Sequence, residues 1–118
     1  MNDRETTLSQ LKEAVLEMCV KKGWGDGGVQ NVQQVAMAMT VEMSEVLEHF
    51  QWMSPEDVRS LMAGENPLEA QEIAEEFADV MMYGLQLART LNIDISAQVE
   101  RKIGIVMRRP PKDGERPR

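Results

Sequence analysis

Apolar residues recur every three or four positions in several stretches of the chain, which is the spacing of one face of an α-helix. Between these stretches stand residues that end or begin helices, such as the glycine-rich segment 23–28 and the Ser54-Pro55 pair. The predicted helices cover residues 7–22, 32–51, 55–64, 67–91 and 96–108. The third of them is short, and the fourth is the longest.

The ends of these segments carry residues suited to capping a helix. Thr6 or Thr7 can accept a hydrogen bond at the start of the first helix, and Asn31 can do so for the second. Gly23 can end the first helix in a left-handed conformation. Leu, Val, Ala and Met are frequent, whereas aromatic residues make up only 4% of the chain, a balance that favours helices. We therefore predict an all-α fold, a bundle of four main helices plus one short helix.

The apolar stripes identify the expected core of the bundle. Cys19 lies on the stripe of the first helix and is expected to be a small core residue rather than a nucleophile. Gly84 interrupts the fourth helix, which predicts that a neighbouring element packs closely there. The predicted buried face of the last helix consists of Val99, Ile103 and Val106 or Met107.

Length and charge restrict the class of protein. The 118 residues suffice for one domain, assigned to residues 1–109, whereas residues 110–118 are rich in proline and charge and are expected to be flexible. No apolar run approaches the roughly 20 residues of a membrane span. The polar first residues and the single cysteine lead us to expect a cytoplasmic protein. The net charge of −7 argues against non-specific binding to nucleic acid.

Two carboxylate pairs lie within the apolar helices. Glu42 and Glu45 are three residues apart in the second helix, and Glu76 and Asp79 are three apart in the fourth, so each pair points to one side. From residue 23 to residue 88 the only Lys or Arg is Arg59, against twelve Asp and Glu. Such pairs could be a solvated acidic face, or they could hold Mg²⁺ or Mn²⁺, which prefer carboxylate oxygens.

The residues around both pairs resemble a known family. Segment 44–52, Ser-Glu-Val-Leu-Glu-His-Phe-Gln-Trp, looks like the first motif helix of the MazG-like all-α nucleoside triphosphate pyrophosphohydrolases, especially their dCTP-pyrophosphatase-like branch. Segment 75–83, Glu-Glu-Phe-Ala-Asp-Val-Met-Met-Tyr, looks like the second motif helix. The resemblance covers roughly residues 5–109, and the combined motif is far more specific than either half.

The resemblance implies a Mg²⁺-dependent enzyme, with Mn²⁺ as a possible substitute. It would hydrolyse a nucleoside triphosphate, expected to be a deoxynucleotide, to the monophosphate and pyrophosphate. This reaction would serve the sanitation of the nucleotide pool. The family usually assembles as dimers or dimer pairs, and the apolar stripes of this chain are wide for a monomer of 118 residues. A homodimer or homotetramer is therefore expected, with no nucleic-acid or membrane partner.

The resemblance also suggests roles for individual residues. Glu42, Glu45, Glu76 and Asp79 would hold the metal. Glu45 or Glu48 would orient or deprotonate the attacking water, and Lys102 would act on the phosphates with help from Arg109. Trp52, Tyr83 and the weaker candidate Trp24 would form the base and sugar pocket. Val106 stands where the dCTP-like branch has an asparagine, which predicts a broader or shifted base preference.

Two alternatives remain at the level of sequence. An acidic helical bundle could be a non-catalytic interaction module, which needs no divalent ion and releases no pyrophosphate. The same four carboxylates could also serve a related pyrophosphohydrolase that acts on a different nucleotide, such as phosphoribosyl-ATP. His49 follows Glu45 by four residues, a spacing that does not match the Glu-x-x-His motif of di-iron bundles. It is interpreted as a polar residue at the edge of the helix.

Overall fold

The computed structural model describes residues 1–111 and contains five helices. They are α1 (Leu8–Lys22), α2 (Val32–Gln51), α3 (Pro55–Met62), α4 (Pro67–Thr90) and α5 (Ile95–Arg108). The predicted all-α fold is confirmed, because no strand occurs in the described residues beyond a single bridge between Asp26 and Val29. Most of the predicted flexible tail, residues 112–118, lies outside the described residues.

The helix ends form as the capping residues predict. The Thr7 hydroxyl accepts a hydrogen bond from the backbone N–H of Gln10, whose side chain accepts one from the Thr7 N–H. Ser54 and Asp57 form the same reciprocal pair at the start of α3, which begins with Pro55. Each pair satisfies backbone donors that would otherwise lack a partner in the first turn. These local contacts fix where α1 and α3 begin.

Helices α2 and α4 form the main packing pair, and α1 packs against α4. At Gly84 of α4, a Cβ atom would lie 3.3 Å from the Cε of Met39 in α2, so the expected close approach is confirmed. Cys19 is buried as predicted, in a cluster with Val15 and Leu85. The buried hydrophobic residues of the described chain are Val15, Cys19, Val35, Val46, Val80, Leu85 and Ala88. The core is therefore narrow and is built from α1, α2 and α4.

The predicted buried face of α5 is exposed in the single chain, and that prediction is wrong at this level. None of the residues of α5 is buried. Val99, Ile103 and Val106 each expose half or more of their surface, and Met107 exposes 78%. The reason is geometric, because the turn at Asn92 carries α5 away from the paired helices, with which it shares few contacts.

The chain exposes more surface than a compact monomer of its size. Its accessible area is 9615 Å², whereas a compact monomer of 13.4 kDa exposes about 6,500 Å². Much of the surplus is apolar, since large side chains of α2 and α5 face outward. None of the described helices is both long enough and apolar enough to span a membrane.

Candidate active site

Packing of α2 against α4 brings the two carboxylate pairs into one neighbourhood. Glu42 and Glu45 of α2, and Glu76 and Asp79 of α4, are all partly buried. The Oε2 atom of Glu42 is fully buried and has no hydrogen-bond partner among the described residues. A buried carboxylate oxygen without a partner is costly in free energy and needs a compensating group.

The charges of the other three carboxylates act on Glu42. Burial raises the pKa of the Glu42 carboxyl, and a hydrogen bond to Glu45 raises it further. The negative charges of Glu45, Asp79 and Glu76 add to the same upward shift of this pKa. Mutual repulsion of this kind requires that the four groups lie close to one another. The other three carboxylates thus lie within electrostatic reach of Glu42, and their role as metal ligands stays a prediction.

The residues around Glu42 fit a divalent cation. No Lys or Arg forms an ion pair with any of the four carboxylates within residues 1–111. Several acidic oxygens that face one another without a cationic partner match the ligand preference of Mg²⁺ and Mn²⁺. The orphaned Oε2 of Glu42 supplies an oxygen that a cation could occupy. The donor set and its charge thus suit a hard metal ion.

His49 lies in the space between the two helices, which the sequence analysis did not anticipate. Its side chain is only 16% exposed, and both ring nitrogens meet carboxylates of α4. Nδ1 lies 2.9 Å from Oε1 of Glu69, and Nε2 lies 3.1 Å from Oε2 of Glu76. The hydrogen bond to Glu69 raises the pKa of His49, burial opposes it, and the charges of Glu76 and Glu69 raise it further. The interpretation of His49 as a polar edge residue is wrong.

Two features of the sequence could have located His49. It stands one turn after Glu45, so it shares the side of α2 that carries the carboxylates. It is also the only histidine in a segment that has a single Lys or Arg. One ring nitrogen, together with one oxygen each of Glu69 and Glu72, forms a group whose atoms lie within 4.8 Å of one another. His49 thus places an imidazole, rather than a Lys or Arg, against acidic residues of α4.

The predicted nucleoside residues lie in different places. Trp52, the residue that ends α2, is 86% exposed and borders an open cleft of about 290 Å³ with His49, Ser60 and Asn66. Tyr83 is partly buried on α4, one turn after Asp79. Trp24 is 41% exposed in the loop between α1 and α2. The single chain therefore offers Trp52 as an exposed aromatic surface beside His49 and Glu69.

The predicted phosphate-binding residues are not brought to the acidic cluster in the single chain. Lys102 lies on α5 and Arg109 directly follows it, and both are exposed. Neither forms an ion pair with an acidic residue in the described range 1–111. Glu48 also points to solvent, one turn beyond Glu45 on α2. Within one chain, these three residues could act only on a ligand that extends from the cluster. Otherwise they could act from a neighbouring copy of the chain.

Comparisons with known proteins agree with the family suggested by the motifs. A model of the MazG-like family matches residues 37–116, more than half of the chain. The dCTP pyrophosphatase 1 of Homo sapiens is 28% identical over 107 residues, which cover 91% of this chain and 61% of the human protein. The dCTP pyrophosphatase 1 of Rattus norvegicus is 26% identical, with the same coverage. The chain thus spans about 61% of the length of these curated relatives. No solved structure matches it.

The raised pKa of Glu42 predicts how pH affects the metal-free protein. A folded state in which this carboxyl holds its proton more tightly is most stable below the ordinary pKa of 4.5 and loses stability as pH rises through the raised pKa. We expect Glu42→Gln to raise the melting temperature at pH 7 in EDTA. The variant should also lose less stability as pH rises. Thermal unfolding followed by circular dichroism between pH 4 and pH 8 would measure both effects.

Glu17→Gln is the matched control, because Glu17 is exposed on α1. This variant should leave the melting temperature unchanged or slightly lower, since Glu17 can pair with Lys21 one turn later. A Glu42→Gln protein that is less stable than the parent at pH 7 without metal would contradict the repulsion inferred at the cluster.

Proposed function

The chain belongs to the MazG-like family, and from this membership we propose that it is a metal-dependent nucleoside triphosphate pyrophosphohydrolase. The reaction is hydrolysis between the α- and β-phosphates, which gives a nucleoside monophosphate and pyrophosphate. The observation that carries the proposal is the buried Oε2 of Glu42, which has no hydrogen-bond partner among the described residues and belongs to a carboxyl whose pKa is raised by burial and by Glu45, Asp79 and Glu76. The relatives named dCTP pyrophosphatase 1 support a deoxynucleotide as the substrate class.

In this proposal Glu42, Glu45, Glu76 and Asp79 hold Mg²⁺, with Mn²⁺ as a substitute. Bound divalent cations would offset the charge of the triphosphate and lower the pKa of a water molecule. Without them the acidic cluster would repel the substrate, because a triphosphate carries several negative charges of its own. We therefore expect an almost complete dependence of turnover on a divalent metal.

The side chains have separate tasks in the proposed reaction. Glu45, which is partly buried beside Glu42, orients the attacking water and accepts its proton, and Glu48 is the second candidate for this task. The outer phosphates leave as pyrophosphate, for which Lys102 and Arg109 provide positive charge. Since Lys102 lies on the outward-facing α5 and Arg109 directly follows it, we propose that they reach the site from a second copy of the chain.

The nucleoside is proposed to bind beside the exposed ring of Trp52. This residue lies ten positions after Glu42, which corresponds to about 15 Å along a helix axis, a span that suits a nucleoside attached to a metal-bound triphosphate. The cleft next to Trp52 also contains the Ser60 and Asn66 side chains. Tyr83, one turn after Asp79, is proposed to contact the sugar, and Trp24 is a weaker candidate for closing the pocket. Val106 predicts a base preference broader than dCTP alone.

Two competing functions make different predictions. A non-catalytic interaction module would use the acidic surface to bind basic partners, and it would not need the crowded carboxylates around a buried oxygen. A pyrophosphohydrolase of another nucleotide, such as phosphoribosyl-ATP, would use the same four carboxylates with a different pocket. Pyrophosphate release from a panel of nucleotides, with Mg²⁺ and with EDTA, separates all three possibilities.

The first test removes each carboxylate of the cluster in turn. The four variants are Glu42→Gln, Glu45→Gln, Glu76→Gln and Asp79→Asn. Loss of a partner that only hydrogen-bonds a metal ligand lowers activity roughly 10- to 100-fold, and each of the four should lower turnover by more than that. The measurement is pyrophosphate release at saturating Mg²⁺ and nucleotide, with folding checked by circular dichroism. Glu17→Gln, on the exposed face of α1, should keep the parent activity. Near-normal turnover in two or more of the four variants would remove this site from the reaction.

The second test concerns assembly. The surplus of exposed surface and the uncovered apolar face of α5 lead us to propose that a second copy of the chain covers them. Light scattering at micromolar concentration should give at least twice the monomer mass of 13.4 kDa. Ile103→Glu should shift the protein towards monomer, because it places a charge on the apolar face of α5. Ala97→Glu adds the same charge about 120° around the helix from Ile103, outside the apolar face, and should leave the mass unchanged; a monomeric parent would refute the proposal.

The third test concerns nucleotide binding. Stacking of a base on an aromatic ring contributes about 1–3 kcal/mol. Trp52→Ala should therefore raise KM for the preferred nucleotide about tenfold and change kcat less. Met62→Ala removes a similarly exposed apolar side chain at the end of α3, away from the cleft, and should not change KM. An unchanged KM in Trp52→Ala would exclude Trp52 from the pocket.

A further inference from the structure

The position of His49 gives it a part in the acidic site that neither the motifs nor the comparisons assign. Its ring joins Glu69 and Glu76, which lie seven residues apart on α4, two turns of the helix. Both contacts have hydrogen-bond lengths, at 2.9 Å to Glu69 and 3.1 Å to Glu76. The ring is largely buried, so water competes weakly for either contact. A side chain held at both nitrogens has little freedom to rotate.

The contact with His49 determines which carboxylate oxygen of Glu76 lacks this hydrogen bond. An ionised carboxylate can only accept hydrogen bonds, so the proton of this contact belongs to Nε2 of His49. That N–H donates to Oε2 of Glu76 and leaves its other oxygen without this contact. Nδ1 lies 2.9 Å from Oε1 of Glu69, and this second contact fixes the orientation of the imidazole. The three side chains form a chain of contacts that ends on one of the four clustered carboxylates.

We propose that His49 is a positioning residue, which holds the Glu76 carboxylate in the orientation that binds the metal and directs a single Glu76 oxygen to it. The inference rests on the proposed function, because it takes Glu76 as a metal ligand. Partners that hydrogen-bond a ligating carboxylate orient it and lower the entropy lost on binding, and their removal typically weakens metal affinity about 10- to 100-fold. His49 also supplies donor character within a segment that otherwise contains only one Lys or Arg.

The test measures metal affinity directly, with Mn²⁺ alone as the probe and electron paramagnetic resonance as the readout. His49→Leu removes both ring contacts at similar volume and should raise the Mn²⁺ Kd about tenfold. His49→Gln keeps one N–H donor and should recover part of the loss. In turnover assays the half-saturating Mg²⁺ concentration should rise by the same factor, whereas KM for the nucleotide at saturating Mg²⁺ should change less than twofold. If His49 had a purely structural role, His49→Leu would lower the melting temperature but would not raise the half-saturating Mg²⁺ concentration more than KM for the nucleotide.

Glu72→Gln separates positioning from direct ligation by His49. Glu72 lies within 4.8 Å of the His49 and Glu69 ligand atoms but is not one of the hydrogen-bonded partners of the ring. Positioning therefore predicts an unchanged Mn²⁺ Kd in Glu72→Gln. A loss as large as that of His49→Leu would overturn the proposal, because it would show that His49, Glu69 and Glu72 bind the ion themselves.

Two further variants keep the result interpretable. If His49→Leu does not fold, Glu69→Gln decides the question, since it leaves His49 in place and should weaken Mn²⁺ binding by loosening the ring. Unchanged Mn²⁺ binding in Glu69→Gln would then overturn the proposal. Glu76→Gln tests the premise: if it also leaves Mn²⁺ binding unchanged, the proposed metal site itself fails. If Glu76→Gln abolishes binding and His49→Leu has no effect, only the role of His49 is refuted.

Discussion

Repulsion between like charges at the junction of α2 and α4 is the constraint on which the site depends. Two carboxylates about 5 Å apart repel by about 3 kcal/mol at an effective dielectric constant of 20. Burial of one valine side chain contributes about 1.5–3 kcal/mol in the opposite direction. Val35, Val46 and Val80 are buried on the same two helices. Packing and repulsion are thus of similar size, so the helix pair can hold the acidic cluster although its carboxylates repel one another.

The narrow core follows from the same arrangement. Helices that direct several carboxylates towards each other have fewer positions left for apolar contacts, and the buried residues are correspondingly small. The contact of His49 with Glu76 leaves Oε2 of Glu42 without a hydrogen-bond partner among the described residues. The cluster therefore keeps an unpartnered oxygen, which suits it to a metal rather than to a permanent internal ion pair.

Positive and negative groups are separated along the chain and in space. The acidic residues of the site lie on the packed helices, whereas Lys102 and Arg109 belong to the outward-facing end of the chain. This separation prevents the basic side chains from neutralising the cluster within one chain. It also links two features of the molecule, since a second copy that covers the apolar face of α5 would bring the basic residues of that helix into an interface.

The sequence by itself determined the helices and the two carboxylate pairs. Capping residues such as Thr7 and Ser54 act within one turn, and the three-residue spacing of Glu42 and Glu45 places them on one side of any helix. The close approach at Gly84 was also predictable, because a glycine inside a helix lacks a side chain and so indicates a closely packed neighbour. The position of His49 was not, since its partners Glu69 and Glu76 lie 20 and 27 residues away on another helix. Only the rotation and register of α2 against α4 decide that contact, and only the direction of the turn at Asn92 decides that the apolar face of α5 is left uncovered.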